Sequence, residues 1–152
     1  MKKMFFVFML LLALLAGTAH AQMFGSQQII SVSADQAQNA CAADINGDGH
    51  IDVLSACHAS NTIAWYQNDG YANFSAPHVI TDSIVGPSMV WTADLDGDGD
   101  QDVISASSDD NTIAWYQNDG SGNFGALQLV SNNAAFAVCV YAIDLDGDGD
   151  QD

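Results

Sequence analysis

Three short acidic segments hold most of the chemistry this chain could do: Asp44-Ile45-Asn46-Gly47-Asp48-Gly49, Asp94-Leu95-Asp96-Gly97-Asp98-Gly99 and Asp144-Leu145-Asp146-Gly147-Asp148-Gly149. Each runs on to a further aspartate, at Asp52, Asp102 and Asp152, so the pattern is Asp-x-Asp/Asn-x-Asp-Gly-x-x-Asp. Oxygen donors at alternate positions 1, 3 and 5 let a tight loop wrap one hard cation, and glycine at position 6 permits the sharp turn. The backbone carbonyl at position 7 and a carboxylate at position 9 complete a shell of roughly six or seven oxygens. Such a set selects Ca²⁺ over zinc or copper, and Mg²⁺ fits less well because it demands a small octahedron that keeps its water. The expected cofactor is Ca²⁺. Without a cation, carboxylates spaced one residue apart would repel one another with nothing to offset the cost. An EF-hand opens in a similar way, but it needs Glu at position 12 and a helix on each side. Here position 12 is Ser55 or Ser105, and the flanks, 51–56 and 103–106, are strand-like.

Little else in the chain could do chemistry. Its only basic residues are Lys2 and Lys3, and the formal net charge is −17. A surface of that sign repels nucleic acid and anionic lipid, and cationic stabilisers of a transition state are missing. We therefore expect no enzyme in this segment. His50, His58 and His78 do not recur between the repeats described below, and His58, beside Cys57, reads as a surface turn residue. Trp65 and Trp115 stand at the same place in successive repeats, which favours core packing over sugar stacking. Cys41, Cys57 and Cys139 are odd in number, so one thiol has no partner within the sequence. A Cys41–Cys57 bridge and two buried reduced thiols are both compatible with the spacing.

The elements that must position the loops repeat with them. The offset between the loops is fifty residues each time, and the decapeptide at 61–70 returns unchanged at 111–120. A period of this length points to a propeller blade or another stacked unit. Each unit reads as four short strands. In the second, 88–93 leads into the acidic loop, 103–106 leaves it, 112–117 follows a turn, and 126–130 is last. Asn118-Asp119-Gly120 is a strong hairpin signal, because Asn and Gly tolerate the positive φ of tight turns. Ile113 and Trp115 face one way and Thr112, Ala114 and Tyr116 the other, with no charge on either side. A sheet of that kind is covered on both faces. The expected fold is all-β, a β-propeller of four-stranded blades present as a truncated N-terminal part; a sandwich or a β-solenoid is the alternative. Counted from the loops, the units are about 44–93, 94–143 and 144–152 onward. Ile29-Ile30-Ser31 lies fifty residues before Val79-Ile80-Thr81, so 27–32 is expected as an orphan outer strand able to close a ring.

Lys2 and Lys3 precede an apolar run at 4–16 and a small-x-small site ending at Ala21. This is the pattern of a secretory signal peptide, 1–21; the run is shorter than the ~18–20 residues that span a bilayer. The repeats then occupy 22–152, and the expected location is secreted, extracellular or cell-surface.

The acidic loops, the run at 118–125 and the blade-like spacing together resemble the FG-GAP/VCBS repeat family, similar to repeats in the propeller head of integrin α subunits and in many secreted bacterial proteins. The resemblance covers roughly 27–152 and implies a propeller of about seven or eight blades, with calcium in the hairpin loop between the first two strands of its blades. The implied ligands are Asp44, Asn46, Asp48, His50 (carbonyl) and Asp52; Asp94, Asp96, Asp98, Asp100 (carbonyl) and Asp102; and Asp144, Asp146, Asp148, Asp150 (carbonyl) and Asp152. The first repeat departs from the pattern at Asn46 and at Ser75, where the second has Gly125. The function expected on these grounds is a calcium-binding scaffold for extracellular binding or adhesion, its partner a protein or carbohydrate. The alternative is a non-catalytic module of a secreted hydrolytic enzyme whose catalytic part lies elsewhere.

Overall fold

The computed structural model describes residues 27–152; the expected signal peptide, 1–21, lies outside the described residues. Eight strands form two antiparallel four-stranded meanders. The first contains β1 (Ala37–Ala43), β2 (Asp52–Cys57), β3 (Thr62–Tyr66) and β4 (His78–Thr81). The second contains β5 (Pro87–Ala93), β6 (Asp102–Ser107), β7 (Thr112–Tyr116) and β8 (Gln128–Ser131). Each sheet takes its first strand from before an acidic loop, so the loop is the β1–β2 or β5–β6 connection. The pairs that close these hairpins are Ala43↔Asp52 and Ala93↔Asp102. The register slips also repeat, between Ala37 and Asn39 and between Pro87 and Met89, then again between Ile63 and Ala64 and between Ile113 and Ala114. The fifty-residue period is thus carried into the bulges, which bend a strand locally.

The two sheets stack face to face. Leu54, Ala56, Ile63 and Trp65 of the first pack against Val90, Val103, Ala114 and Tyr116 of the second. Alternation along β7 then sends Ile113 to the opposite face, where Met89 and Ala106 meet Ala134, Ala137 and Val140. The second sheet is therefore covered on both sides, as its uncharged faces predict. β5 lies closest to β1 and progressively less close to β2 and β3. Polar side chains fasten the seam: Asn39 Oδ1 accepts the Val90 N–H at 3.1 Å, and Asn61 Oδ1 accepts the Gly86 N–H at 3.0 Å. One repeat later, Asn111 Oδ1 accepts the Phe136 N–H at 2.9 Å. Asn61 and Asn111 sit at φ 55° and 60°, the left-handed region that asparagine tolerates better than most residues.

The segment 27–32 forms no strand. An isolated strand needs a partner for its backbone groups, and no edge of the described sheets pairs with it. The segment 137–143, in the place of a first strand, forms no strand, although Ile143 exchanges backbone hydrogen bonds with Asp152 at 3.4 and 3.1 Å and Ala137 and Ala142 are buried. The three cysteines are free. Cys41 pairs in register with Leu54 and Cys57 with Ala37, which puts the two thiols at different levels of the hairpin. Burial raises the Cys41 thiol to about 11, so it is no nucleophile at neutral pH.

Candidate metal loops

The loops fold by aspartates catching the backbone amides that follow them. In the second loop Asp94 Oδ1 accepts the Gly97 N–H at 2.8 Å and Oδ2 accepts the Gly99 N–H at 3.0 Å. Asp96 Oδ1 takes the Asp98 N–H, and Asp98 Oδ1 takes the Asp100 N–H. The third loop repeats all four bonds with Asp144, Asp146 and Asp148. Gly97 and Gly99, at φ 79° and 96°, supply the left-handed turns that this wrapping requires.

The result is a gathering of hard oxygens. One carboxylate oxygen each from Asp94, Asp96 and Asp98 lies within 4.8 Å of the others, and so does one each from Asp144, Asp146 and Asp152. No Lys or Arg exists beyond position 3 to neutralise them. This donor set fits a hard divalent cation, since it is all oxygen and compact. The first loop differs. Asn46 Nδ2 donates to Asp48 Oδ2 at 3.0 Å, so an amide hydrogen meets a charge whose counterpart in the second loop, Asp98, faces other carboxylates.

The ninth-position aspartates Asp52 and Asp102 have a second task. Both are fully buried. Asp52 accepts the Ile45 N–H at 3.1 Å and the Asn68 N–H at 2.8 Å; Asp102 accepts the Leu95 N–H at 3.1 Å and the Asn118 N–H at 2.8 Å. Burial raises the carboxyl pKa of both, against the pull of those N–H groups. Asp152 makes the first of these bonds, with the Leu145 N–H at 3.0 Å, but is exposed. The seventh-position side chains turn toward the hairpins: a Cβ built on Gly70 would meet the His50 ring at 2.6 Å, and one on Gly120 would meet the Asp100 carboxylate. Asp150 instead lines a cavity of about 380 Å³ between the second and third loops.

A family model described as an FG-GAP-like repeat matches twice, at residues 44–105 and 94–152. The chain belongs to the FG-GAP-like repeat family. Such repeats point to a binding module. No curated protein matches the chain. Among solved structures the chain is similar to an Agrocybe aegerita lectin, whose title describes specific recognition of non-reducing terminal N-acetylglucosamine. The identity is 24%, the TM-score 0.49, and the match covers 66% of this chain and 26% of the lectin chain, so it spans about a quarter of that protein.

Within each FG-GAP-like repeat, the Gln-Asn-Asp-Gly turn takes part in the loop, a role the motif reading missed. Gln67 Nε2 donates to the fifth-position Asp48 Oδ2 at 3.1 Å, whereas Gln117 Nε2 donates to the third-position Asp96 Oδ2. Asn68 Nδ2 donates to the Ile51 carbonyl and Asn118 Nδ2 to that of Gln101, each closing its own loop. Asn118 Nδ2 also reaches across the seam to the Ile45 carbonyl at 2.7 Å, joining the second repeat to the first loop. The unchanged decapeptide carried the available signal: ten identical residues over two turns imply more than a hairpin. His58, expected at a surface turn, lies 3.5 Å from Asp109 of the neighbouring sheet, and Trp65 lies in the inter-sheet core, stacked on His78 at 4.7 Å.

Proposed function

We propose that this chain is a calcium-braced, propeller-type scaffold that binds an extracellular protein or carbohydrate and performs no catalysis of its own. The observation that carries the metal reading is the convergence of Asp94, Asp96 and Asp98, with no Lys or Arg among the described residues to neutralise them. Bringing like charges this close costs free energy that a bound divalent ion offsets, and oxygen-only donors suit Ca²⁺ best. The stacking is compatible with a propeller: the two four-stranded sheets meet most closely where β5 lies against β1, and four-stranded blades repeated at a fixed offset can close around an axis. Export follows from the N-terminal sequence pattern, and extracellular calcium suits loops of this kind, with dissociation constants of about 10⁻⁴–10⁻³ M. Calorimetric titration of the folded protein tests the reading. Calcium should bind with Mg²⁺ a poor competitor, and Asp98→Ala should remove one site. Absence of calcium binding, or equal binding of both ions, would overturn it.

A further inference from the structure

The first loop is the odd one, and its oddity is chemically specific. Asn46-Gly47 is the sole Asn-Gly pair in the sequence, and it stands where the later loops have Asp96-Gly97 and Asp146-Gly147. We propose that Asn46-Gly47 is a site of spontaneous deamidation, and that the first loop acquires its third-position carboxylate by this reaction. The Gly47 backbone nitrogen attacks Asn46 Cγ and gives up its proton, the Cγ–Nδ2 bond breaks, and Nδ2 takes a proton and leaves as ammonia, forming a succinimide. Water then opens the ring. Attack at Cγ restores the normal backbone with aspartate at position 46; attack at the main-chain carbonyl carbon gives isoaspartate.

Three features of the loop favour this chemistry. Glycine has no Cβ to hinder the approach of its nitrogen to the preceding side chain, and Gly47 is exposed. The nitrogen is also unfastened. The N–H groups of Gly97 and Gly147 are held by Asp94 Oδ1 at 2.8 Å and Asp144 Oδ1 at 2.6 Å. In the first loop Asp44 Oδ1 takes the Asp48 N–H at 3.2 Å instead, and the Gly47 N–H has no hydrogen-bond acceptor among the described residues. Third, the reacting amide is flanked by suitable groups. The Asp48 N–H donates to Asn46 Oδ1 at 3.2 Å, where negative charge builds as nitrogen attacks. Asp48 Oδ2 accepts from Nδ2, the departing nitrogen, at 3.0 Å.

The two products act in opposite directions on the metal loop, a consequence that rests on the calcium reading above. Aspartate gives the first loop the carboxylate count of the second, and affinity in such loops follows ligand charge. Isoaspartate lengthens the backbone by one methylene and shifts Asp48 out of register. The test is to hold the folded protein in mildly alkaline, metal-free buffer and map its asparagines by mass spectrometry, resolving aspartate from isoaspartate. Asn46 should be converted about tenfold faster than Asn118 or Asn73, and the normal aspartate product should accumulate. An Asn46 no faster than the others, or converted only to isoaspartate, overturns the proposal. Asn46→Asp, the product made directly, should tighten calcium at the first loop by about tenfold; unchanged affinity there, with the second loop titrating normally, also overturns it. If no loop binds calcium, the scaffold reading fails, while selective conversion of Asn46 still decides the modification itself.

Discussion

Asp98 and Asp102 are four residues apart in one loop and do different work. Asp98 is exposed and joins the oxygen cluster, whereas Asp102 is buried and holds two backbone N–H groups, one from its own loop and one from the turn after β7. Removing the Asp102 carboxylate orphans both donors, at about 1–3 kcal/mol each. Asp102→Ala should therefore lose about 2–6 kcal/mol in urea unfolding with or without calcium, whereas Asp98→Ala should lose stability only when calcium is present. Protonation divides the aspartates similarly. Asp69 and Asp119 have lowered pKa values, first through the Asn73 and Asn123 side chains, so the stability they add is present above the ordinary 3.8 and lost as pH falls through the lowered value. Asp52 and Asp102 are raised by burial, so their contribution is present below 3.8 and lost as pH rises through the raised value. The metal-free protein should be most stable in weakly acidic solution, with urea midpoints falling on either side. A midpoint that climbs steadily to neutral pH would contradict this assignment.

At the scale of the element, two identical decapeptides make different contacts. Asn68 and Asn118 each close their own loop, but Asn118 alone reaches a neighbouring loop, and it is buried where Asn68 is half-exposed. Asn118→Ala should cost about 1–3 kcal/mol more than Asn68→Ala, because it also leaves the Ile45 carbonyl without its partner. Equal losses would mean that the cross-repeat bond adds nothing. Strand positions were legible in the sequence because apolar alternation and turn residues are local signals, and the repeat displayed them twice. The gathering of Asp94, Asp96 and Asp98 was legible too, since their spacing is the motif. The second role of Asp102 was not, because position 9 looks the same whether its oxygens face a cation or backbone amides. Nor was the lack of strand structure at 27–32: Ile29-Ile30-Ser31 has the composition of β4, but pairing depends on an available edge.

For the whole molecule, packing and electrostatics pull in opposite directions. The sheets share one apolar seam centred on Leu54, Ile63, Trp65, Val103 and Tyr116. A Cβ added to Gly122 would stand 2.5 Å from the Trp65 ring, so the second hairpin is fitted closely to the first sheet. Against this cohesion stands a net charge of −17, concentrated in loops at one end of the hairpins. In our account calcium resolves the conflict, and binding it is part of folding. Free ion above the dissociation constant then stabilises the native state by mass action, about 2.7 kcal/mol per site at a hundredfold excess. The most direct measurement is thermal unfolding of the protein in chelator, in millimolar Ca²⁺ and in millimolar Mg²⁺. The midpoint should rise with calcium, saturate, and respond much less to magnesium. Equal midpoints in chelator and in calcium would contradict the coupling of calcium binding to folding.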